Sequence, residues 1–370
     1  MLIDRRYFRY FDWLSFIVTL ILLGLGLLFV FSSTYTPQQP ISPFFKKQLI
    51  GTIIGLGIYI FFCIKDLRLL TRLGYIAYFF VIILLLYANI AGSKVMGARR
   101  WVPVLFLKGQ PSELAKLFLP TLIAHYRENA TIKNFFTNTL FTIKQARTPI
   151  ILLAITFFLI LKQPDLGTAL IILFSGLILF WIAGLNKKFF LFLGLGCILC
   201  APIFWKILKP YQQQRILVLL GSGSTQNERY QIEQSKIAIG SGGLFGKGLL
   251  KGTQNKLAFL PEDHTDFIFS VICEEWGFFG AMAIIILFCI LFVRILYITI
   301  HLPNISLQII SVGLIIHIIL SFCINIGMIS GILPTVGISL PLFSYGLSNL
   351  WVTLASLGWL NNIAIRRFYY

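Results

Sequence analysis

Apolar runs close to the length of a bilayer core recur along this chain, separated by short polar breaks. A hydrocarbon core about 30 Å thick takes about 20 residues of helix to cross. Lipid offers no hydrogen-bond partner, so each run must satisfy its own backbone. The runs lack the alternation of a barrel strand, which leaves helices. The breaks give about ten spans, roughly 14–33, 49–64, 73–90, 113–126, 149–161, 166–185, 189–208, 267–298, 306–329 and 345–365, the fourth and fifth being short. The expected fold is therefore an all-α integral membrane protein of about ten transmembrane helices, one polytopic domain over residues 1–370. With 58% of residues hydrophobic and only 12% charged, the composition excludes an ordinary soluble domain. Arg5, Arg6 and Arg9 ahead of the first run imitate a signal peptide, but that run is too long and no small-residue cleavage site follows, so it reads as a retained helix.

One stretch stands apart. Residues 209–265 form a long polar and basic interruption between the seventh and eighth spans, read as a large extracytoplasmic loop. Discounting it, as the weak charge dependence of long-loop translocation allows, leaves the excess of Lys and Arg on the side of the N-terminus. Both termini are then expected in the cytoplasm of a plasma membrane. The outward cations suit a lipid-linked phosphate or diphosphate, and anionic headgroups are an equal explanation from charge alone. Basic groups scattered through membrane loops rather than along a soluble stripe speak against nucleic acid. The six cysteines all fall in apolar runs, and the pair Cys197 and Cys200 has no His or acid nearby, so packing explains them better than redox or metal chemistry.

Several polar groups sit where a plain membrane helix would not place them. The stretch 260–266, Leu-Pro-Glu-Asp-His-Thr-Asp, gathers Glu262, Asp263, His264 and Asp266 at the lip of a span. Neighbouring acids raise one another's proton affinity and prepare a base, while a helix cap is the competing reading for Asp266. In Gln110-Pro111-Ser112-Glu113-Leu114-Ala115-Lys116 the first four residues explain themselves as a helix start. Lys116 lies one turn inside the apolar run, three residues from Glu113; the two can neutralise each other in the membrane, or Lys116 can snorkel to the interface. Asp165 opens the sixth span after Gln163-Pro164 and reads equally as a cap or a functional acid. Glu274 and Glu275, about 12 Å further along the helix from Asp266, need a partner or water, and Lys116 is a conceivable one.

The segment 240–248 resembles a phosphate loop only superficially. Ser241 occupies the first glycine position and Gly248 follows Lys247 where Ser or Thr belongs, which argues against a nucleotide site. Its glycines with Lys247 and Lys251 can present backbone N–H groups to an anion or form a plain turn. Residues 331–346 hold too many Gly and Pro for a helix and read as a buried or re-entrant loop.

Together these blocks resemble the SEDS family of bacterial peptidoglycan polymerases, whose members include RodA and FtsW. The resemblance runs over nearly the whole chain: Ala98-Arg99-Arg100-Trp101, residues 110–116, 163–168, 234–248, 260–280 and 331–348. The block 234–254 is more similar to the cell-elongation branch, RodA, than to the division branch. The resemblance implies a glycosyltransferase that extends glycan strands from lipid II at the outer membrane face, beside a class B penicillin-binding protein and other elongation-complex membrane proteins. It places the family's essential aspartate on Asp266, with Arg100, Lys116 and Asp165 on other family positions, and Arg99, Trp101, Glu113, Lys247, Glu262 and His264 as further substrate-binding candidates. Three departures stand out: Ala258 replaces a frequent acid, leaving that support to Glu262 or Asp263, Gly109 replaces an aromatic, and Leu347 with Asn349 alters a small-residue ending.

The expected chemistry needs one base, since a diphosphate is already a good leaving group. Asp266 would take the proton from the attacking hydroxyl while Arg100, Lys116 and Lys247 stabilise the departing diphosphate. A divalent cation, Mg or Mn, could share that charge, though no ligand cluster marks one. A flippase or transporter for a lipid-linked sugar, the division branch of the same family, and a non-catalytic scaffold remain the alternatives.

Overall fold

A computed structural model describes residues 10–95, 98–104, 107–133, 141–207, 210–219, 226–257 and 259–367. Three helices open it: α1 (Trp13–Thr34), α2 (Pro43–Ile64) and α3 (Leu67–Ala91). Ser42 starts α2 by accepting from Phe45 N, with Pro43 preset for the first turn, and Asp66 starts α3 by accepting from Arg68 N. Next come strands β1 (Ser93–Val95), β2 (Ala98–Val104) and β3 (Leu107–Gly109), then α4 (Pro111–Lys133), α5 (Ile143–Lys162), α6 (Leu166–Ile182) and α7 (Lys187–Ile207). The stretch 209–265 holds α8 (Pro210–Leu219), α9 (Gln226–Ser241) and the single turn α10 (Thr253–Lys256). The chain closes with α11 (Ile268–Ile300), α12 (Ile305–Ile329) and α13 (Leu347–Arg366).

Among the described residues, six helices, α1, α2, α3, α5, α11 and α12, are long and apolar enough to cross a membrane. The chain is a multi-pass, mostly helical membrane protein. Helix α6 is as apolar but only 17 residues long. Helices α4 and α13 dilute their apolar faces with buried polar side chains: Ser112, Glu113, Lys116 and Thr121 in one, Thr353, Ser356, Asn361 and Asn362 in the other.

Two expectations need correction. The fold is not purely helical: the strands β1, β2 and β3 pair antiparallel in the order β1-β2-β3, with Ser93 opposite Trp101 and Val102 opposite Gly109. Arg, Lys and Gly made this segment look like a loop, yet Trp101, Val102 and Val104 give it the β-branched and aromatic content of short strands. Cys197 and Cys200 are exposed on α7 rather than packed in the core, and so are Cys289 and Cys323; Cys63 and Cys273 are buried. In a bundle facing lipid, an apolar run needs no protein neighbour.

The bundle is built on the pairs α2 with α13, α3 with α4, α4 with α12 and α1 with α11. Small residues set the close approaches, since a Cβ on Gly26 would stand 2.2 Å from Leu342 O and one on Gly358 2.3 Å from Tyr59 O. At the Asp12 end of the bundle, Arg294 Nε pairs with the buried Asp12 carboxylate at 2.9 Å, and Asn361 Nδ2 donates to Tyr59 Oη at 2.8 Å. The opposite end, where α1 finishes at Thr34, carries the polar candidates.

Candidate functional site

The long helix α11 changes its sense of travel. Asn325 Nδ2 donates to Asp266 O at 2.8 Å, while Ser270 Oγ lies 2.8 Å from Ser235 Oγ, which donates to Ile329 O. From Asp266 to Ser270 the chain therefore climbs α12 from the level of Asn325 to that of Ile329. After Gly277 it descends: Phe288 packs on Phe322, and Thr299 bonds Ser311 at 2.7 Å. The top of the climb meets the Thr34 end of α1, where Ser32 Oγ donates to Glu275 and Phe29 packs against Trp276. Gly277 makes the turn with φ 65° and ψ −164°, a left-handed conformation that side chains resist. Asp266 thus precedes a short ascending helix, 268–276. The expectation that Glu274 and Glu275 lie deeper than Asp266 is corrected: they sit nearer the Thr34 end.

The loop 331–346 wraps this start, as its Gly and Pro content led us to expect. Ser344 Oγ donates to Thr265 O, Tyr345 N donates to His264 O at 2.9 Å, and Asn325 also donates to Ile338 O at 2.7 Å. The rings of Phe44, His264 and Tyr345 cluster in tilted and edge-to-face contacts. Asp263 Oδ1 lies 2.9 Å from His264 Nδ1. Glu262 holds φ 55°, rare outside glycine, and its carboxylate accepts from Thr265 Oγ1 at 3.0 Å.

Loop residues 336–338 also join Asp266 to α6. A Cβ on Gly337 would lie 3.6 Å from Asp266 Oδ2, while one on Gly167 would meet Ile338 and Val336 O. At the head of α6, Asp165 Oδ1 accepts from Thr168 N at 3.2 Å, and its Oδ2 accepts from Gln110 Nε2 at 2.9 Å. Arg100 reaches the same turn from β2, donating from Nε to Gln163 O at 3.0 Å and from Nη2 to Pro164 O at 2.7 Å. The meander thus carries Arg100 to the turn that precedes Asp165, and Trp101 next to it in β2 is half-buried. The Arg99 side chain and Ala258 lie outside the described residues.

Lys116 does not snorkel. It is buried beside Glu113, Nζ to Oε2 2.7 Å, and so is not the partner of Glu274. That partner is Lys247, whose Nζ lies 2.6 Å from Glu274 Oε1. Sequence reasoning also missed Asn325, a buried amide in an apolar helix, and Gln110, read only as part of a helix start. Asn349, one of the departures, donates to Ser339 Oγ and so anchors the same loop. Among the described residues no group of three or more His, Cys, Asp or Glu gathers as a metal cage. The catalytic roles assigned below belong to side chains, and no step runs through a metal ion.

The chain is 37% identical over 321 residues to the peptidoglycan glycosyltransferase MrdB of Escherichia coli K12, covering 85% of this chain and 84% of that one. It is 34% identical to stage V sporulation protein E of Bacillus subtilis, over 95% and 96% of the two chains. A solved peptidoglycan synthase complex, in which polymerization and crosslinking are structurally coordinated, contains a chain that superposes with TM-score 0.79 at 27% identity over 97% of this chain and 99% of that one. The rod shape determining protein RodA of Thermus thermophilus superposes with TM-score 0.71 at 27% identity, over 97% and 98%. A profile of FtsW, RodA and SpoVE, described as cell cycle proteins, matches residues 12–368, and the chain belongs to that family.

Proposed function

We propose that the chain is a peptidoglycan glycosyltransferase that polymerises lipid II into glycan strands during cell elongation. The observation that carries this reading is the loop 336–338 between two polar centres: the Asp266 carboxylate beside Gly337, and the Asp165, Gln110 and Arg100 cluster beyond Gly167. An acid near a fixed cation matches transfer from a diphosphate donor, which needs a base for the incoming hydroxyl and positive charge for the leaving group. Asp266 removes the hydroxyl proton of the attacking sugar. Arg100, its plane set by two backbone carbonyls, and Lys116 from α4 stabilise the diphosphate as its bond to the sugar breaks. Glu113, which pairs with Lys116, sets the position of that ammonium.

About ten helices cross the membrane in this reading, with α4, α6, α7 and α13 joining the six longest and both termini in the cytoplasm. Asp266 then faces the outer half of the bilayer, where lipid II presents its sugar. The likeness to a chain of a peptidoglycan synthase complex supports a class B penicillin-binding protein as the crosslinking partner. A lipid-linked sugar flippase is the competing function, and one pair of assays separates them. Purified chain given lipid II makes strands visible on a glycan-length gel, and the same chain in sealed vesicles moves no lipid II between leaflets. Movement without strands would replace polymerisation by transport.

A further inference from the structure

The segment 247–254 is fastened to α11 more tightly than a surface loop requires. At the Gly277 break the two backbones interlock: Lys247 N donates to Glu274 O at 3.0 Å, Gly248 N to Glu275 O at 2.9 Å and Phe278 N to Gly243 O at 2.9 Å. Glycine is needed at the contact, because a Cβ on Gly246 would stand 2.1 Å from Glu275 O. The side chains then converge on one carboxylate. Glu274, 0% exposed, accepts at Oε1 from Lys247 Nζ at 2.6 Å, from Thr253 N at 2.7 Å, from Thr253 Oγ1 at 2.9 Å and from Gln254 N at 3.2 Å. Lys247 Nζ also donates to Thr253 Oγ1 at 2.8 Å. Beyond Gln254, two local turns follow, with Leu260 N donating to Gln254 O at 3.3 Å and Phe267 N to Glu262 O at 3.2 Å. Asp266 lies at the end of this closed loop, and the helix that follows it returns to Glu274.

We propose that Glu274 and Lys247 are positioning residues for the transfer reaction, fixing the short helix 268–276 and the loop 247–266 against each other so that Asp266 is held at its working place. The inference rests on the function proposed above and deepens it. A buried carboxylate with one ammonium and three further donors, two of them backbone amides, is a satisfied lock. Lys247 is tied to Glu274 by its backbone N–H as well as by its ammonium, so its part in the reaction runs through the position of Asp266. A shift of about 1 Å in a reacting group costs about 100-fold in rate, so loosening the lock acts on kcat.

The test uses purified full-length protein and lipid II, with kcat and KM measured beside hydrogen exchange of amides 253–266. Lys247→Met lowers kcat by about 100-fold, leaves KM unchanged and speeds exchange in that segment. Glu274→Gln, which keeps an oxygen for the Thr253 and Gln254 amides, loses less than Glu274→Ala. The double variant Lys247→Met with Glu274→Gln leaves no unpaired buried charge, elutes as the folded protein and still shows the kcat loss. A raised KM with normal exchange in Lys247→Met would mean that this lysine binds the diphosphate, and unchanged kcat and KM would mean that the lock does not act on Asp266; either overturns the inference alone. A wild type that makes no strands overturns the proposed function, and this inference with it.

Discussion

Asn325 holds Asp266 by its backbone, donating one side-chain N–H to Asp266 O while the same amide reaches Ile338 O. One buried amide thus ties the start of the ascending helix to the loop that carries Gly337. Replacing it with leucine keeps the branched heavy-atom shape and strands two carbonyl oxygens, at about 1–3 kcal/mol each. Asn325→Leu is expected to lower the thermal unfolding midpoint and reduce strand synthesis together, whereas Asn325→Gln retains part of both. Unfolding followed in detergent by fluorescence, beside the glycan gel, checks this.

The Glu113 and Lys116 pair makes a prediction about sign. Both side chains are buried, so Lys116→Met leaves a carboxylate uncompensated, at a cost of about 3–5 kcal/mol. Adding Glu113→Gln removes the orphan charge and restores most of the stability. Strand synthesis stays low in the double variant if Lys116 stabilises the diphosphate, as proposed. A thermal-unfolding cycle over the four proteins measures the coupling, and full activity in the double variant would remove Lys116 from the site.

Two glycines separate stability from function. Gly277→Ala puts a Cβ 2.3 Å from Gly246 N at φ 65°, in a contact between two backbones that cannot give way. The strained conformation alone costs about 1–3 kcal/mol, so this variant is expected to fold poorly, read as lost monodispersity and a lower unfolding midpoint. Gly337→Ala carries the same kind of backbone strain, at φ 70° and about 1–3 kcal/mol, but its Cβ meets only Asp266 Oδ2, at 3.6 Å, with no backbone clash. It is expected to fold and to lose activity further than its stability falls, because the new methyl stands against the carboxylate.

The apolar runs made the bundle legible, because lipid imposes helices wherever they are long enough, and spacing made Glu113 with Lys116 legible, because residues three apart share a face. The turn in α11 was not, since Gly277 sits among Glu, Trp and Phe in a stretch that otherwise reads as one span. The partner of Glu274 was not either: Lys247 lies 27 residues away and arrives only through the glycine interlock. Asp165 had a local explanation as a helix cap, and only tertiary structure brings Arg100 to the same turn. The meander was hidden by its charge, whose purpose emerges once Arg100 is seen bonded to Gln163 and Pro164.

The central claim is that the Asp266 carboxylate removes the proton of the incoming sugar hydroxyl. The direct measurement is polymerisation of purified lipid II by wild type and Asp266→Asn, with folding checked by unfolding midpoint. Asparagine keeps the size and loses the base, so we predict strands from the wild type, none from the variant, and equal midpoints. Strands of normal length from a folded Asp266→Asn protein would contradict the account.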